Sequence, residues 1–262
     1  MLFLRTRWIL GFSFVVTWLA SGHARREDSS PVLLGRKVAV CIPGSLEQLP
    51  LTADNLATNV VKAVGGAIGA QVDIFVYSST TSFDGASCRN GTDSKYEKYL
   101  ELVHPVEVIM ESDVPLLKSS GFKFCDEWEP GGEAESQLQQ MYSLFRVNQM
   151  RKSRELSYGF TYDWVVRLRA DMLFVHPIPA LEHLSPDRIT LPSFHTQLAC
   201  ENCLNHNFAI GPADLMDLYM DMYHHMDRRR ELCSWPESHL HHFLIEEQGW
   251  RRTGGIVALS EL

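Results

Sequence analysis

Short apolar runs, each closed by turn-forming residues, recur along the chain. The runs that predict strands are residues 37–42, 72–77, 106–110, 164–168, 189–191 and 208–210. Several of them lack polar alternation, which is typical of strands that are buried on both faces of a parallel sheet.

Between these runs, apolar residues recur at steps of three and four, which predicts helices. The predicted helices are residues 51–64, 96–103, 135–158, 213–226 and 236–248. Because strands alternate with helices, the chain is expected to form an α/β fold, a mostly parallel sheet flanked by helices. Residues 111–134 are irregular and are interpreted as an insertion within one domain, not as a boundary between two.

The N-terminus has the order of a targeting segment. Arg5 and Arg7 precede an uncharged run, and small residues follow it. Residues 1–24 are therefore predicted to be a signal peptide or a short signal anchor, with 8–24 as the part that would enter a membrane. Residues 25–36 are polar and predict a linker, which leaves 37–262 as the folded domain. The domain is expected in the secretory pathway, in the Golgi or ER lumen or outside the cell.

Composition narrows the class of protein only a little. Apolar residues make up 45% of the chain and charged residues 21%, which is ordinary for a globular domain. The formal net charge of −8 argues against a general nucleic-acid binder, which would show a basic face.

The six cysteines fit an oxidising compartment, where an even count permits disulfides. Cys41 lies in a predicted buried strand and is expected to be a small apolar core residue. A local Cys200–Cys203 bridge, or one from either residue to Cys233, is the simplest pairing. The triplet that begins at Asn90 is an N-glycosylation acceptor, which fits the same compartment.

The strongest candidate site follows the predicted strand 164–168. Arg169 and Asp171 are spaced by one residue, at the carboxyl end of that strand. In open α/β sheets ligands bind at this edge. A carboxylate there can hold Mg²⁺ or Mn²⁺, and an arginine can pair with phosphate oxygens. The alternative is a structural ion pair between Arg169 and Asp171.

The turn after the first predicted strand is a second candidate. Pro43, Gly44 and Ser45 lie where a nucleotide base or ribose binds in a doubly wound domain. The turn has one glycine instead of the three of a dinucleotide fingerprint, so NAD is not expected.

The segment 137–174 resembles a family of glycosyltransferase-like proteins with a GT-A-type, Rossmann-like domain. The residues that carry the resemblance are Ser136, Gln137, Tyr142, Ser143, Asn148, Tyr162, Asp163, Val165, Arg167, Arg169, Asp171 and Phe174. Residues 207–211 and 235–240 resemble the family's closing motifs. The resemblance implies a nucleotide-sugar-dependent transferase, with a glycan, protein or lipid acceptor.

The resemblance also implies roles for single residues. Arg167 and Arg169 would bind the nucleotide, and Asp171 would bind Mn²⁺ or Mg²⁺. The family usually places two acids in its metal motif, whereas this chain has Arg169 in the first position. That departure leaves open a non-catalytic protein on the same fold, such as a lectin or a partner of other transferases.

Glu237 has two interpretations. It stands three residues after Ser234 and one after Pro236, the pattern of a helix capping box. The family resemblance favours a second role, as the base that takes the proton of the acceptor hydroxyl. The nearby His239, His241 and His242 are the only support for a third class, a secreted metal-dependent hydrolase.

Overall fold

The structure, a computed structural model, describes residues 14–16, 35–66, 69–80, 94–112, 121–124, 133–192, 204–225, 231–232, 236–248 and 256–259. Its strands, in chain order, are β1 (Phe14–Val16), β2 (Lys37–Pro43), β3 (Gln71–Thr80), β4 (Glu107–Ser112), β5 (Lys123–Phe124), β6 (Trp164–Leu168), β7 (Met172–Phe174), β8 (Ile189–Pro192), β9 (Phe208–Pro212), β10 (Glu231–Leu232) and β11 (Ile256–Leu259).

The helices in the same ranges are α1 (Leu49–Leu56), α2 (Lys62–Gly66), α3 (Ser94–Val103), α4 (Glu133–Tyr158), α5 (Ala213–Met220), α6 (Met222–His225) and α7 (Pro236–His241). A π-helical turn, Ala57–Val61, joins α1 to α2, and a second one, His242–Glu247, extends α7. A short 3-10 helix spans Leu181–His183. The long predicted helix is confirmed and ends at Tyr158, and the next residue, Gly159, has a φ of +66°, which suits a glycine just after a helix end.

The central sheet has the order β11-β8-β9-β6-β2-β3-β4 within the described part of the chain. Strands β6, β2, β3 and β4 are parallel neighbours, whereas β9 runs antiparallel to both β6 and β8. The predicted α/β class with a mostly parallel sheet is therefore confirmed. The chain runs outward from β2 to β3 and β4, and α4 then returns it to β6 on the other side of β2.

Helices cover both faces of this sheet because neighbouring residues in a strand point to opposite sides. On one face, Val38 and Val40 of β2 belong to the same buried cluster as residues of α1 and α3. On the other face, Ala39 and Cys41 join residues of α4 and α5. Cys41 is fully buried with a free thiol, which confirms the expectation for this residue. The other five cysteines and Asn90 lie outside the described residues.

A buried ionic cluster fastens α4 to α5. The guanidinium of Arg151, which is 1% exposed, donates to Asn148 Oδ1 (3.0 Å), to Glu155 Oε1 (2.8 Å) and to Asp217. Asn148 in turn donates to Asp221 Oδ1 at 2.8 Å. Asn148, one of the residues that carry the family resemblance, is thus part of the scaffold.

The predicted N-terminal targeting segment lies mostly outside the described residues. Its residues 14–16 form β1, which pairs in parallel with β7. No helix that the structure describes is long and apolar enough to cross a bilayer. The signal peptide or anchor, the linker and the secretory location remain predictions. The predicted insertion at 111–134 contributes β5, which pairs with β10.

Candidate functional site

The candidate site lies where the order of the strands changes direction, between β2 and β6. These neighbouring strands are parallel, and Cys41 is in register with Arg167. Their carboxyl ends, at Pro43 and Leu168, therefore meet at the same edge of the sheet. A crevice at such a switch point is the usual place for a ligand in an open α/β sheet.

The turn after β2 is built around Gly44. The φ of Gly44 is +103°, a value that favours glycine, and its N–H donates to the carbonyl oxygen of Tyr77 at 2.9 Å. Ser45 follows, and its hydroxyl accepts a hydrogen bond from the N–H of Glu47 at 3.2 Å. The structure thus places Pro43, Gly44 and Ser45 together at the carboxyl end of β2, as the sequence predicted.

Arg169 and Asp171 stand at the carboxyl end of β6. Arg169 donates from Nε to Asp171 Oδ1 (2.9 Å) and from Nη2 to Oδ2 (2.6 Å), a forked pair in which both carboxylate oxygens are engaged. The two side chains are 28% and 18% exposed. The hydroxyl of Thr52 donates to the carbonyl oxygen of Ala170 at 2.5 Å and ties the turn to α1. The guanidinium is therefore held in one orientation at the edge.

Arg167 occupies a different position from Arg169. It lies inside β6, is 3% exposed and is paired with Cys41 on one side and Ala209 on the other. Of the two arginines that were predicted to bind a nucleotide, Arg169 is the one at the edge of the sheet.

Three polar residues near Arg169 were not predicted as site residues, although Asn207 belongs to the 207–211 motif. Arg169 Nη1 contacts Gln140 Oε1 (3.4 Å) and Asn207 Oδ1 (3.5 Å), and His206 Nε2 lies 3.0 Å from Gln140 Oε1. His206 and Asn207 reach this edge because β9 is antiparallel to β6, with Phe208 opposite Leu168. The sequence shows these polar residues as the triplet 205–207 before β9, but their position relative to Arg169 depends on the direction of β9.

A second polar cluster lies beside the first, towards the carboxyl ends of β3 and β4. Tyr77 donates to Glu111 Oε2 at 3.0 Å, and Arg146 pairs with Glu111 Oε1 at 2.5 Å and donates to the hydroxyl of Tyr142 at 3.1 Å. Burial, followed by the hydrogen bond to Glu111, raises the pKa of Tyr77 well above its usual value. The phenol of Tyr77 therefore stays protonated and acts as a donor.

The predicted metal position can be compared with the structure only through the possible ligands around Asp171. Both oxygens of Asp171 are bonded to Arg169. No group of three or more His, Cys, Asp or Glu residues that could hold a metal ion occurs within the described ranges. Mg²⁺ and Mn²⁺ need several oxygen ligands. Around Asp171 the described residues supply no such set of ligands, and Mn²⁺ or Mg²⁺ at Asp171 stays a prediction.

The candidates near the C-terminus are described less fully. Glu237 lies in α7, but its side chain is outside the described part of the structure, so its role stays a prediction. The ring of His242 contacts Glu246 Oε2 at 2.6 Å and Glu247 Oε1 at 3.1 Å. His241 is buried, and its Nδ1 lies 3.9 Å from Glu246 Oε1. Within the described residues, nothing groups these histidines as the ligands of a hydrolytic metal.

The structure is similar to the apo form of mouse xyloside xylosyltransferase 1, with a TM-score of 0.42 and 12% sequence identity, over 86% of this chain and 85% of that chain. No protein-family model and no curated protein matches the sequence.

Proposed function

We propose that this chain is a glycosyltransferase-like protein of the secretory pathway. It binds a nucleotide sugar and passes the sugar to a hydroxyl group of a glycan, protein or lipid acceptor. The observation that carries the proposal is the position of Arg169, beside the Gly44 turn at the switch point of the parallel sheet. The resemblance of residues 137–174 to glycosyltransferase-like proteins supports the same class.

Arg169 is the residue that would hold the diphosphate. A guanidinium pairs with phosphate oxygens in a fork, and its fixed orientation lowers the cost of binding. The contacts from its Nη1 to Gln140 and Asn207 are long, 3.4 and 3.5 Å, so a phosphate oxygen can replace them at small cost. Asp171 keeps the guanidinium in place from the other side.

The other candidate residues would contact the other parts of the substrates. The nucleoside would lie against Pro43, Gly44 and Ser45, where the glycine allows close approach of the backbone. The acceptor oxygen would form a bond to the anomeric carbon of the sugar as the bond to the diphosphate breaks. The nucleoside diphosphate leaves with the electron pair, and Glu237 is the proposed base for the hydroxyl proton.

A second candidate function is a lectin-like or partner-binding protein on the same fold. The observation that favours it is the engagement of both Asp171 oxygens by Arg169, where the family usually has two acids. Such a protein would bind a glycan or another protein without turnover.

A binding titration tests the proposal. The purified chain would be titrated with a panel of nucleoside diphosphates and nucleotide sugars, with and without Mn²⁺. We expect at least one to bind, and Arg169→Ala to weaken it at least about tenfold, since a charge-assisted hydrogen bond contributes about 1.5–3 kcal/mol. The matched control is Arg188→Ala, at an arginine whose side chain is 44% exposed. Failure of the whole panel to bind would reject the transferase, whereas binding without turnover on any acceptor would favour the second candidate.

The secretory location is a separate part of the proposal. A mature N-terminus near Arg25 would identify a cleaved signal peptide. An intact N-terminus in the membrane fraction would identify an anchor in residues 8–24. Recovery of the intact chain from the cytosol alone would contradict both.

A further inference from the structure

The side chain of Gln137 is the buried polar group that the described residues leave without a partner. It is 5% exposed, and neither Nε2 nor Oε1 has a hydrogen-bond partner in the described part of the structure. Buried polar groups are nearly always hydrogen-bonded, because burial removes their bonds to water. A carboxamide with both ends unpaired therefore points to a group that joins it on binding.

The position of Gln137 along the strand direction follows from the direction of α4. Arg154, near the end of α4, pairs with Asp73 near the start of β3 at 2.9 Å, whereas Tyr142 packs on Tyr77 near its end, with ring centroids 6.3 Å apart. The N-terminal end of α4 is thus at the carboxyl edge of the sheet. Gln137 precedes Tyr142 by five residues, which is about 7.5 Å along the helix towards its N-terminus. The same distance corresponds to about two residues of a β-strand.

This position along the strand direction coincides with that of the candidate site. Pro43 is in register with Tyr77. A point about two residues past Tyr77 along the strand direction is therefore near the turn that begins after Pro43. In the neighbouring strand, Cys41 is in register with Arg167, so the turns that follow Pro43 and Leu168 begin at similar positions along the strand direction. Gln137 therefore lies at the level of the turns that follow β2 and β6.

The lateral position of Gln137 follows from the contacts of its neighbours on α4. Gln140 reaches Arg169 at the end of β6, whereas Tyr142 reaches Tyr77 on β3. Gln137 shares its helix face with the buried Met141, between these two flanks. The strand between β6 and β3 is β2, and Met141 belongs to the same buried cluster as Ala39 and Cys41 of β2, so Gln137 lies on the face of α4 that packs towards β2.

We propose that Gln137 recognises the nucleoside half of the nucleotide, an inference that rests on the proposed function. A carboxamide offers one acceptor and two donor hydrogens. Phosphate oxygens at neutral pH only accept, so a diphosphate would leave Oε1 unpaired. The edge of a nucleobase and the hydroxyls of ribose combine donors with acceptors, and they satisfy both ends of the side chain. Arg169 binds the diphosphate, and Gln137 forms hydrogen bonds to the nucleoside.

Binding by substituted full-length protein tests this assignment. Gln137→Met keeps the length of the side chain and removes both polar atoms, and Gln137→Leu is a second variant in case methionine packs poorly. The matched control is Gln139→Met, two residues along the same helix and partly exposed. Calorimetry would compare uridine, cytidine, adenosine and guanosine diphosphates with inorganic pyrophosphate.

We expect Gln137→Met to weaken the best nucleoside diphosphate about tenfold, the loss for two hydrogen bonds between neutral groups. Pyrophosphate affinity should be unchanged, and the control variant should bind like the wild type. An equal loss for pyrophosphate, or unchanged nucleoside diphosphate binding, overturns the assignment of Gln137. If the wild-type protein binds none of the five ligands, the proposed function itself fails.

The stability of the free protein gives a second, ligand-independent readout. Since Gln137→Met removes two unsatisfied buried atoms, its denaturation midpoint in urea should equal or exceed that of the wild type. A lower midpoint for both Gln137→Met and Gln137→Leu would mean that the carboxamide is already satisfied in the free protein, by a bound water for example, and would overturn the assignment.

Discussion

Replacement of Arg151 by methionine removes the centre of the buried cluster between α4 and α5. The guanidinium is 1% exposed and donates to Asn148, Glu155 and Asp217. Methionine fills similar space but donates nothing, so two carboxylates lose a buried cationic partner.

The structure also indicates the size of the effect. Removing one partner of a buried ion pair typically costs about 3–5 kcal/mol. Here both carboxylates keep another partner: Glu155 Oε1 accepts from the N–H of Tyr162 at 2.8 Å, and Asp217 Oδ1 lies 3.5 Å from Lys152 Nζ. Asp217 is also 35% exposed. We therefore expect the low end of the range, about 3 kcal/mol.

Urea denaturation, followed by far-UV circular dichroism, measures this loss. The midpoint should fall while the slope stays constant, because a change in stability alone leaves the slope unaltered. The control is Lys152→Met, which removes a 32% exposed cation from Asp217 and Asp221 and should cost about 1 kcal/mol or less. Equal losses for the two variants, or no loss for Arg151→Met, would refute the conclusion that burial makes this cluster important.

Two further predictions concern the edge of the sheet and the core. Thr52→Val removes the hydroxyl that donates to the carbonyl of Ala170 and should lower the free energy of unfolding by about 1–3 kcal/mol. The control Thr161→Val, at an exposed site, should lower it by less than about 0.5 kcal/mol. Equal losses would mean that this bond does not fix the turn. Burial raises the pKa of the Cys41 thiol to about 12, so peptide-resolved mass spectrometry should find it unalkylated by iodoacetamide at pH 9 in folded protein and alkylated in urea. Labelling of the folded protein would show that the thiol is accessible.

Most of the fold could be predicted because its strands are buried on both faces. The predicted runs 37–42 and 164–168 correspond to β2 and β6 almost residue for residue. An apolar run shows burial, however, and not direction, so the antiparallel orientation of β9 was not predicted. Strands of two or three residues, such as β5 and β7, are too short to show any period. The predicted helix 213–226 is interrupted at Asp221, which the sequence does not mark with a glycine or proline.

The candidate site could be predicted where it follows directly from a strand. Gly44 and Arg169 come immediately after β2 and β6, and position along the chain is enough to place them. Gln140 and His206 could not be placed in the same way, because one depends on the direction of a helix and the other on that of β9. Whether Arg169 and Asp171 face a ligand or each other depends on side-chain geometry, and the structure shows that they pair.

The most direct test of the account is the structure of the chain with a nucleoside diphosphate bound. We expect the diphosphate at the switch point, with a phosphate oxygen about 2.7–2.9 Å from the guanidinium of Arg169 and the nucleoside against the Gly44 turn. A ligand bound elsewhere, with the Arg169–Asp171 pair unchanged, would contradict the claim that this edge of the sheet is a nucleotide site.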